Sequence, residues 1–291
     1  MLSILREYEY CVGYKKEGSA EYRILYPTMR YWYADPIPVV IQGKTYLFVE
    51  AFDKFKAIGH IAVTELSERI STPRVIISES FHMSFPNVFK WHDEYYMIPE
   101  TNDADQIRVY KMDKDVYNWH LVSFMDVKGK KYSDISSLQI GDELFFIAGE
   151  KDPNDPFKCR TVIMKVLSIE GELIVDVVSE NPEYSYGDRN AGNIFVDNGD
   201  LYRPIQHSDK NTYGIKVTLH RFKELSKSSS KDSIVRTIDL VSEKIDKIHG
   251  CIPYGIHTYG RINGWEVIDV GVKRLSLDGL LVKVIRRIIK E

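Results

Sequence analysis

Residues 34–50 read ADPIPVVIQGKTYLFVE, which is an apolar strand, a tight turn at Gly43 and a second strand that ends in an acid. Four further copies of this hairpin follow along the chain. Successive copies lie 50, 49, 57 and 65 residues apart, counted between the equivalent residues Pro36, Pro86, Ile135, Gly192 and His257. Repeats of this length with several short strands each are typical of propeller blades. The sequence therefore predicts an all-β fold, a five-bladed β-propeller.

The bulk composition narrows the classes of function. A formal net charge of −3 gives no basic field for a nucleic acid polymer, so we expect no such partner. The three cysteines are far apart in sequence, which is typical of reduced thiols. The N-terminal residues become charged at once and no stretch is apolar enough to cross a bilayer. These features predict a cytoplasmic protein.

The chain is predicted to divide into a propeller over residues 1–275 and a C-terminal helix over residues 276–291. We expect a strand near the N-terminus to complete the last blade, because this removes an open sheet edge. Apolar residues recur at helical spacing in the second part: Leu280, Leu281, Val284, Ile285, Ile288 and Ile289. This pattern predicts an amphipathic helix packed on the propeller. Its basic face also suits a peripheral membrane contact with anionic lipid, or a partner interface.

Acidic residues recur at one end of the predicted channel. Residues equally distant from a hairpin turn face each other, because the first strand of a blade lines the channel and the second runs back antiparallel. This count places six side chains at one mouth: Asp35, Glu50, Glu100, Asp134, Glu150 and Gln206. Such a ring can hold one acid protonated and one base ionised, as chemistry at a glycosidic bond requires.

Each of these residues also has a structural interpretation, in which it caps a turn or binds the amides of a neighbouring blade. Glu50 in particular could pair with Arg30 or Lys44. The aromatic residues Trp32 and Tyr33, next to an acid, favour the functional interpretation because they resemble a sugar-stacking platform.

Two arginines are predicted near the same mouth. The guanidinium groups of Arg189 and Arg203 suit carboxylate or phosphate oxygens, so the expected ligand is a sugar, a sugar nucleotide or a glycolipid. The alternative is that they neutralise the acidic ring. Gln206 and His257 complete the predicted substrate-binding set, although a channel-facing histidine is often structural. The sequence shows no metal-ligand spacing and no phosphate-binding glycine-rich loop, so we expect neither a metal nor a cofactor.

Several motifs resemble one known family. They are Trp32-Tyr33-Ala34-Asp35-Pro36, Phe85-Pro86, Tyr96-Met97-Ile98-Pro99-Glu100, Arg189 with Ala191-Gly192, Tyr202-Arg203-Pro204 with Gln206, Tyr213-Gly214, and Gly255-Ile256-His257-Thr258. Over roughly residues 10–272 the sequence is similar to the N-terminal domain of plant glucosamine inositolphosphorylceramide transferase. That domain also occurs in bacteria, sometimes beside sugar formyltransferase domains. In the plant protein the transferase activity is expected in a separate C-terminal domain, so the resemblance does not carry that activity across.

More distantly, the pattern is similar to the five-bladed propellers of glycoside hydrolase family 43. This resemblance implies that Asp35 matches the general base, and that Asp134 matches the second acid, which tunes pKa values and orients the sugar. Where those enzymes place a general acid in blade four, this chain has Ala191. We therefore expect Glu100 or Asp188 to supply the proton from an adjacent position.

These interpretations together predict a carbohydrate-active propeller in glycan biosynthesis, which transfers or hydrolyses glycosyl groups. The alternative is a non-catalytic glycan-binding or scaffold module that presents a substrate to a partner glycosyltransferase or formyltransferase. Ala191 at the acid position favours that alternative. A ring used only for protein interaction would instead show a channel mouth that binds no sugar.

Overall fold

Five antiparallel sheets are arranged in a ring. The computed structural model describes residues 6–222, 233–248 and 250–275, together with Val282. Each sheet has four or five strands, and the innermost strands of successive sheets contact one another. This arrangement confirms the predicted all-β, five-bladed β-propeller.

The strands follow the blade order along the chain. Strands β1 (Arg6–Lys16) and β2 (Arg23–Leu25) precede blade one. Blade one contains β3 (Tyr31–Ile41), β4 (Lys44–Asp53), β5 (Ile58–Glu65) and β6 (Arg74–Ile77). Blade two contains β7 (Ser84–Trp91), β8 (Glu94–Glu100), β9 (Gln106–Met112) and β10 (Trp119–Asp126). Blade three contains β11 (Tyr132–Ile140), β12 (Glu143–Lys151), β13 (Cys159–Ser168) and β14 (Ile174–Glu180). Blade four contains β15 (Arg189–Asn190), β16 (Phe195–Asp197), β17 (Asp200–His207), β18 (Lys216–Phe222) and β19 (Ser233–Ile238). Blade five contains β20 (Cys251–Gly255), β21 (Tyr259–Ile262) and β22 (Trp265–Leu275).

Blade five is completed by the N-terminal strands. Strand β1 pairs antiparallel with β22 along its whole length, from Arg6 opposite Leu275 to Lys16 opposite Trp265. Strand β2 then pairs with β1 and forms the outer edge of the blade. The prediction that a terminal strand completes the last blade is confirmed. As a result, side chains from β1 lie beside those of the last hairpin.

A bulge recurs in the innermost strands of the first three blades. Asp35, Phe85 and Asp134 have φ values of 48°, 46° and 49°, and the strand pairing shifts register at each of them. A left-handed backbone costs a non-glycine residue about 1–3 kcal/mol, so it is held by its surroundings. A bulge also changes the direction of its side chain. Two of the three bulged residues are the acids that the repeat predicted at the channel mouth.

The apolar core lies between neighbouring blades. Ile37 and Phe48 of blade one pack with Met97 and Tyr110 of blade two, and similar clusters fill the other interfaces. The polar residues treated below therefore lie on a rigid, closed framework.

The predicted C-terminal helix over residues 276–291 lies outside the described residues, apart from Val282. Within the part of the chain that the structure describes, no helix has the length and apolar character needed to cross a membrane.

Candidate functional site

A buried chain of polar contacts joins blades one and five. His257 Nε2 lies 3.1 Å from Asp35 Oδ1, and His257 Nδ1 lies 2.9 Å from Asp269 Oδ2. The second contact is close enough for an ion pair, although its angle is not that of a hydrogen bond. Asp269 Oδ1 accepts the backbone N–H groups of His257 and Thr258 at 3.1 and 2.9 Å, and Oδ2 accepts that of Asp35 at 3.1 Å. Asp35 also accepts the Thr258 hydroxyl at 3.0 Å and the Phe85 N–H, from blade two, at 3.1 Å.

These contacts fix the charges of His257 and Asp35. Burial disfavours the imidazolium, but the carboxylates of Asp269 and Asp35 outweigh burial and raise the pKa of His257 to about 10. Burial also disfavours the Asp35 carboxylate, but the charges of His257 and Arg189 outweigh it and lower the pKa of Asp35. Asp35 is therefore an ionised carboxylate at neutral pH, which is the form that a general base requires.

Glu50 has the opposite character. It lies on β4 opposite Ala34 and is 5% exposed. Burial, followed by the charge of Asp35, raises the pKa of Glu50 well above its ordinary range. Glu50 Oε1 has no hydrogen-bond partner among the described residues. A protonated carboxyl group in this position is the form that a proton donor requires.

His82 and Gly59 enclose the Glu50 carboxyl group. His82 Nε2 lies 3.6 Å from Glu50 Oε1. The Gly59 N–H donates to His82 Nδ1 at 3.0 Å, so the proton of a neutral His82 ring lies on Nε2. A Cβ atom at position 59 would lie 2.6 Å from Glu50 Oε1. Glycine at this position therefore leaves the space that the carboxyl group occupies.

Arg189 joins blades two, three and four. Its guanidinium binds both carboxylate oxygens of Asp134, with Nη2 3.2 Å from Oδ1, and the same Nη2 lies 3.3 Å from Glu100 Oε2. Glu100 Oε1 also accepts Lys151 Nζ at 3.0 Å and Asn102 Nδ2 at 2.8 Å.

The pKa values of these two acids differ. Burial opposes ionisation of Glu100, but Lys151 and Arg189 outweigh it and lower the pKa of Glu100 to about 2. Burial raises the pKa of Asp134 to about 7 despite Arg189, and the charge of Glu100 adds to the rise. One guanidinium group shared between two buried carboxylates does not offset the effect of burial on the pKa of both.

The site contains more acidic than basic groups. Five carboxyl groups meet three cationic side chains: Asp35, Glu50, Glu100, Asp134 and Asp269 against Lys151, Arg189 and His257. All five ionised would give a net charge of −2 in a buried space, whereas a neutral Glu50 leaves −1. The raised pKa values of Glu50 and Asp134 both act in the direction that reduces this buried negative charge, and protonation of both acids would leave no net charge.

Half-buried aromatic rings surround this cluster. Trp32 stacks on Phe52 with ring centroids 4.5 Å apart, and Tyr10 lies 5.5 Å from Trp32 and 4.7 Å from His257. Tyr213 lies 5.4 Å from His257, and its ring faces the Arg189 guanidinium at 5.1 Å. Flat apolar rings beside hydrogen-bonding groups can stack on a sugar ring.

Other predicted site residues lie elsewhere. Tyr33 is completely buried in the core cluster with Leu47 and Val49, because successive side chains of a strand point to opposite faces. Glu150 binds Arg160, Lys130 and Tyr184 rather than the cluster.

Three polar residues of blade four have local partners. The Asp188 carboxylate contacts the Asn181 amide at 3.4 Å. Arg203 is buried and donates to Asn190, to Thr161 and to the Asp188 carbonyl, so it ties neighbouring strands together. Gln206 pairs with Arg189 across β15 and β17, and its buried Oε1 has no hydrogen-bond partner in the described part of the chain.

The structural partners expected for Glu50 are engaged with other acids. Arg30 binds Asp53 at 2.8 Å and Lys44 binds Glu65 at 3.3 Å. The interpretation of Glu50 as a partner of Arg30 or Lys44 is therefore wrong.

Sequence reasoning missed Asp269, Lys151, His82, Phe52 and Tyr10. A signal existed for Asp269, which is a lone acid within the apolar run Val267 to Val272. A carboxylate in a buried strand requires partners, and this one has them. Lys151 and Phe52 lie at or near strand ends, His82 lies in the loop between β6 and β7, and Tyr10 lies on β1, and the hairpin repeat gives no register for any of them.

Asp35, His257 and Asp269 also have ligand atoms within 4.8 Å of one another, the spacing that a metal ion requires. Every carboxylate oxygen of this set already accepts an N–H or O–H group, and the imidazole separates the two acids. The arrangement fits a hydrogen-bonded chain rather than an open set of metal ligands.

Comparisons with known proteins agree with the fold and identify related sequences. The family described as glucosamine inositolphosphorylceramide transferase 1, N-terminal, matches residues 26–249. The enzyme of that name from Oryza sativa subsp. indica is 30% identical over 213 residues, which cover 68% of this chain and 27% of the relative. The Arabidopsis thaliana enzyme is 28% identical over 207 residues. The chain thus spans about a quarter of the length of these relatives.

Solved structures with the same fold include an exo-β-1,3-galactanase from Phanerochaete chrysosporium with galactose. Its TM-score is 0.56 at 11% identity, over 90% of this chain and 66% of that one. A family 43 β-xylosidase/α-arabinofuranosidase from a compost metagenome has a TM-score of 0.56 at 12% identity, over 86% and 92% of the two chains. At these identities the likeness concerns the fold alone.

Proposed function

We propose that this chain, which belongs to the family of the glucosamine inositolphosphorylceramide transferase 1 N-terminal domain, binds a sugar at the channel mouth and acts on its glycosidic bond by acid–base chemistry. The observation that carries the proposal is that Asp35 and Glu50 lie on paired strands in one buried cluster, where the Asp35 carboxylate contacts His257 Nε2 at 3.1 Å and Glu50 Oε1 has no hydrogen-bond partner among the described residues. Family membership and the glycoside hydrolase family 43 fold support a carbohydrate as the ligand.

The proton donor in this proposal is Glu50. Glu100 is held as a carboxylate by Lys151 and Arg189, with its pKa lowered to about 2, and Asp188 contacts Asn181 instead. Glu50 combines a raised pKa with an unpartnered oxygen. Glu50, rather than Glu100 or Asp188, is therefore the candidate proton donor.

The reaction balances with these two groups. Glu50 gives its proton to the glycosidic oxygen as the bond between that oxygen and the anomeric carbon breaks. Asp35 takes a proton from the attacking hydroxyl group, which belongs to water in hydrolysis or to an acceptor alcohol in transfer. The new bond forms between that oxygen and the anomeric carbon, and a proton passes from Asp35 to Glu50 to restore the site.

Asp134 and Arg189 have supporting roles in this scheme. Arg189 donates to both oxygens of the Asp134 carboxyl group and holds it in place. From this fixed position Asp134 influences the pKa values of the neighbouring acids through its charge. Trp32 and Phe52 offer the stacking surface, and Gln206 Oε1 offers a buried acceptor for a sugar hydroxyl.

Glu50→Gln and Asp35→Asn test the proposal. Each should lower turnover about 10²–10⁴-fold, because each removes one proton transfer. Glu94→Gln is the matched control, since Glu94 is an exposed residue at the opposite end of the strand that carries Glu100. The assay follows sugar release or transfer from a panel of glycosides that includes β-1,3-galactotriose and glucosaminyl inositol phosphate.

A non-catalytic sugar-binding module is the second candidate. The observation in its favour is that blade four presents the buried Ala191 and the paired Arg189 in place of a carboxylic acid. Under that function the panel gives binding without turnover, and Glu50→Gln changes affinity alone. Turnover that persists in both variants would contradict the acid–base assignment.

A further inference from the structure

A row of aromatic rings leaves the site along blade five. Tyr10 lies 4.7 Å from the His257 ring, Tyr254 lies 6.1 Å from Tyr10, and Tyr8 lies 5.7 Å from Tyr254. Tyr10 and Tyr254 are half-buried and Tyr8 is 61% exposed, so the row runs from the buried cluster to solvent. We call Tyr8, Tyr10, Tyr254 and Lys273 the blade-five row.

The backbone of β22 is shaped to hold this row. Gly271 lies opposite Tyr10 in the pairing of β1 with β22. A Cβ atom at position 271 would lie 2.4 Å from Tyr254 Cζ and 2.8 Å from its hydroxyl oxygen. The Tyr254 ring therefore lies across the strand in space that only glycine leaves open.

A cation marks the outer end of the row. Lys273 Nζ lies 5.6 Å from the centroid of the Tyr8 ring and 5.5 Å from that of Tyr254. Among the side chains that the structure describes, in residues 8–222, 233–248 and 250–274, no carboxylate lies within ion-pair distance of Lys273 Nζ. The row thus has an acidic end at the carboxylate cluster and a basic end at Lys273.

We propose that the blade-five row is a second subsite, which binds the part of the ligand beyond the reacting bond, and that this part carries a phosphate or carboxylate group at Lys273. The proposal rests on the proposed function in that the first subsite holds a sugar. Half-exposed tyrosines stack on sugar rings and an ammonium group beside them attracts an anion. The carboxylate cluster would repel that anion, so the polarity of the row fixes the direction in which the ligand lies.

Matched pairs of probes test the charge preference. Isothermal titration of the full chain compares myo-inositol 1-phosphate with myo-inositol, and glucuronic acid with glucose. We expect each charged probe to bind more tightly than its neutral partner, and Lys273→Gln to weaken the charged probes about fivefold to tenfold without changing the neutral ones. The two pairs distinguish a phosphate from a carboxylate as the preferred group.

Two further variants place the binding on the row. Tyr254→Leu and Gly271→Ala should weaken charged and neutral probes alike, because the first removes the stacking ring and the second displaces it. Lys16→Gln is the matched control, since Lys16 Nζ lies 3.9 Å above the Trp265 ring at the other end of the same blade. Nuclear magnetic resonance of the tyrosine rings reports whether Tyr8 and Tyr254 shift on binding.

The outcomes separate this inference from the proposed function. Charged probes that bind no better than neutral ones, or a charge preference that survives Lys273→Gln, overturn the second subsite even if turnover is found. Charge-dependent binding at the row supports it, even if no glycoside in the panel is turned over. An equal loss of affinity in Lys16→Gln and Lys273→Gln would also overturn it.

Discussion

His257 should remain a cation well above neutral pH. Its imidazole lies between two carboxylates at 3.1 and 2.9 Å, and these raise its pKa to about 10 against the effect of burial. Relative to the ordinary histidine value of about 6.5, the shift corresponds to about 5 kcal/mol in favour of the charged ring. The experiment measures the pKa of His257 by pH titration of the native protein and of the Asp269→Asn variant.

The sign of the linked stability follows from the two pKa values. The folded value lies above the unfolded one, so the contribution of His257 to the free energy of unfolding is fully present below about pH 6.5. It is lost as the pH rises from there to about 10, by at most about 1.4 kcal/mol per pH unit. Asp269→Asn removes the largest attraction and should bring the pKa of His257 down by more than about one unit.

The assay is nuclear magnetic resonance of the imidazole carbons, with His220 as an internal control. Burial and the charge of Arg203 lower the pKa of His220 to about 4, so the two rings should titrate at opposite ends of the accessible range. Histidine-to-glutamine variants assign the two signals. A midpoint for His257 below about pH 6.5 in the folded native protein would refute the reasoning, because it would show that the carboxylates do not compensate burial.

Three further predictions concern two acids of the cluster, Glu50 and Glu100, and the glycine beside Glu50, Gly59. Burial and the charge of Asp35 raise the pKa of folded Glu50, so the free energy of unfolding of the native protein should fall as the pH rises above about 4.5. Glu50→Gln should remove that pH dependence in urea titrations. The same dependence of unfolding free energy on pH in both proteins would argue against a protonated Glu50. The pKa of folded Glu100 is lowered to about 2, so its contribution to the free energy of unfolding is lost as the pH falls from about 4.5 to about 2. In Glu100→Gln the free energy of unfolding should therefore depend less on pH over that range. A pH dependence equal to that of the native protein would contradict this. Gly59→Ala brings a Cβ atom 2.4 Å from the Met83 carbonyl oxygen, so it should lower the free energy of unfolding by about 1–3 kcal/mol. Thermal or urea unfolding measures this loss, and a stability equal to that of the native protein would show that the backbone relaxes around the new atom.

The repeat predicted the fold and one end of the channel because both depend on local pairing. Asp35, Glu100 and Asp134 could be placed by counting from the hairpin turns, since antiparallel strands fix that register. Tyr33 could not be separated from Trp32, because the bulge at Asp35 disturbs the alternation that decides which ring faces the channel. The same count brought Glu150 only close to the position opposite Asp134, and Arg160 and Lys130 hold it outside the cluster.

The remaining parts of the site depend on closure of the ring. Asp269 lies on β22 and Tyr10 on β1, and they reach the site only because the two ends of the chain pair in blade five. His257 of blade five then contacts Asp35 of blade one, which joins the last blade to the first. A pairing between residues more than two hundred positions apart leaves no local periodicity in the sequence. The same geometry means that a ligand lying between the carboxylate cluster and the blade-five row would touch both sides of the closure. Such a ligand binds the closed ring in preference to an opened one, so its binding energy adds to the stability of the fold.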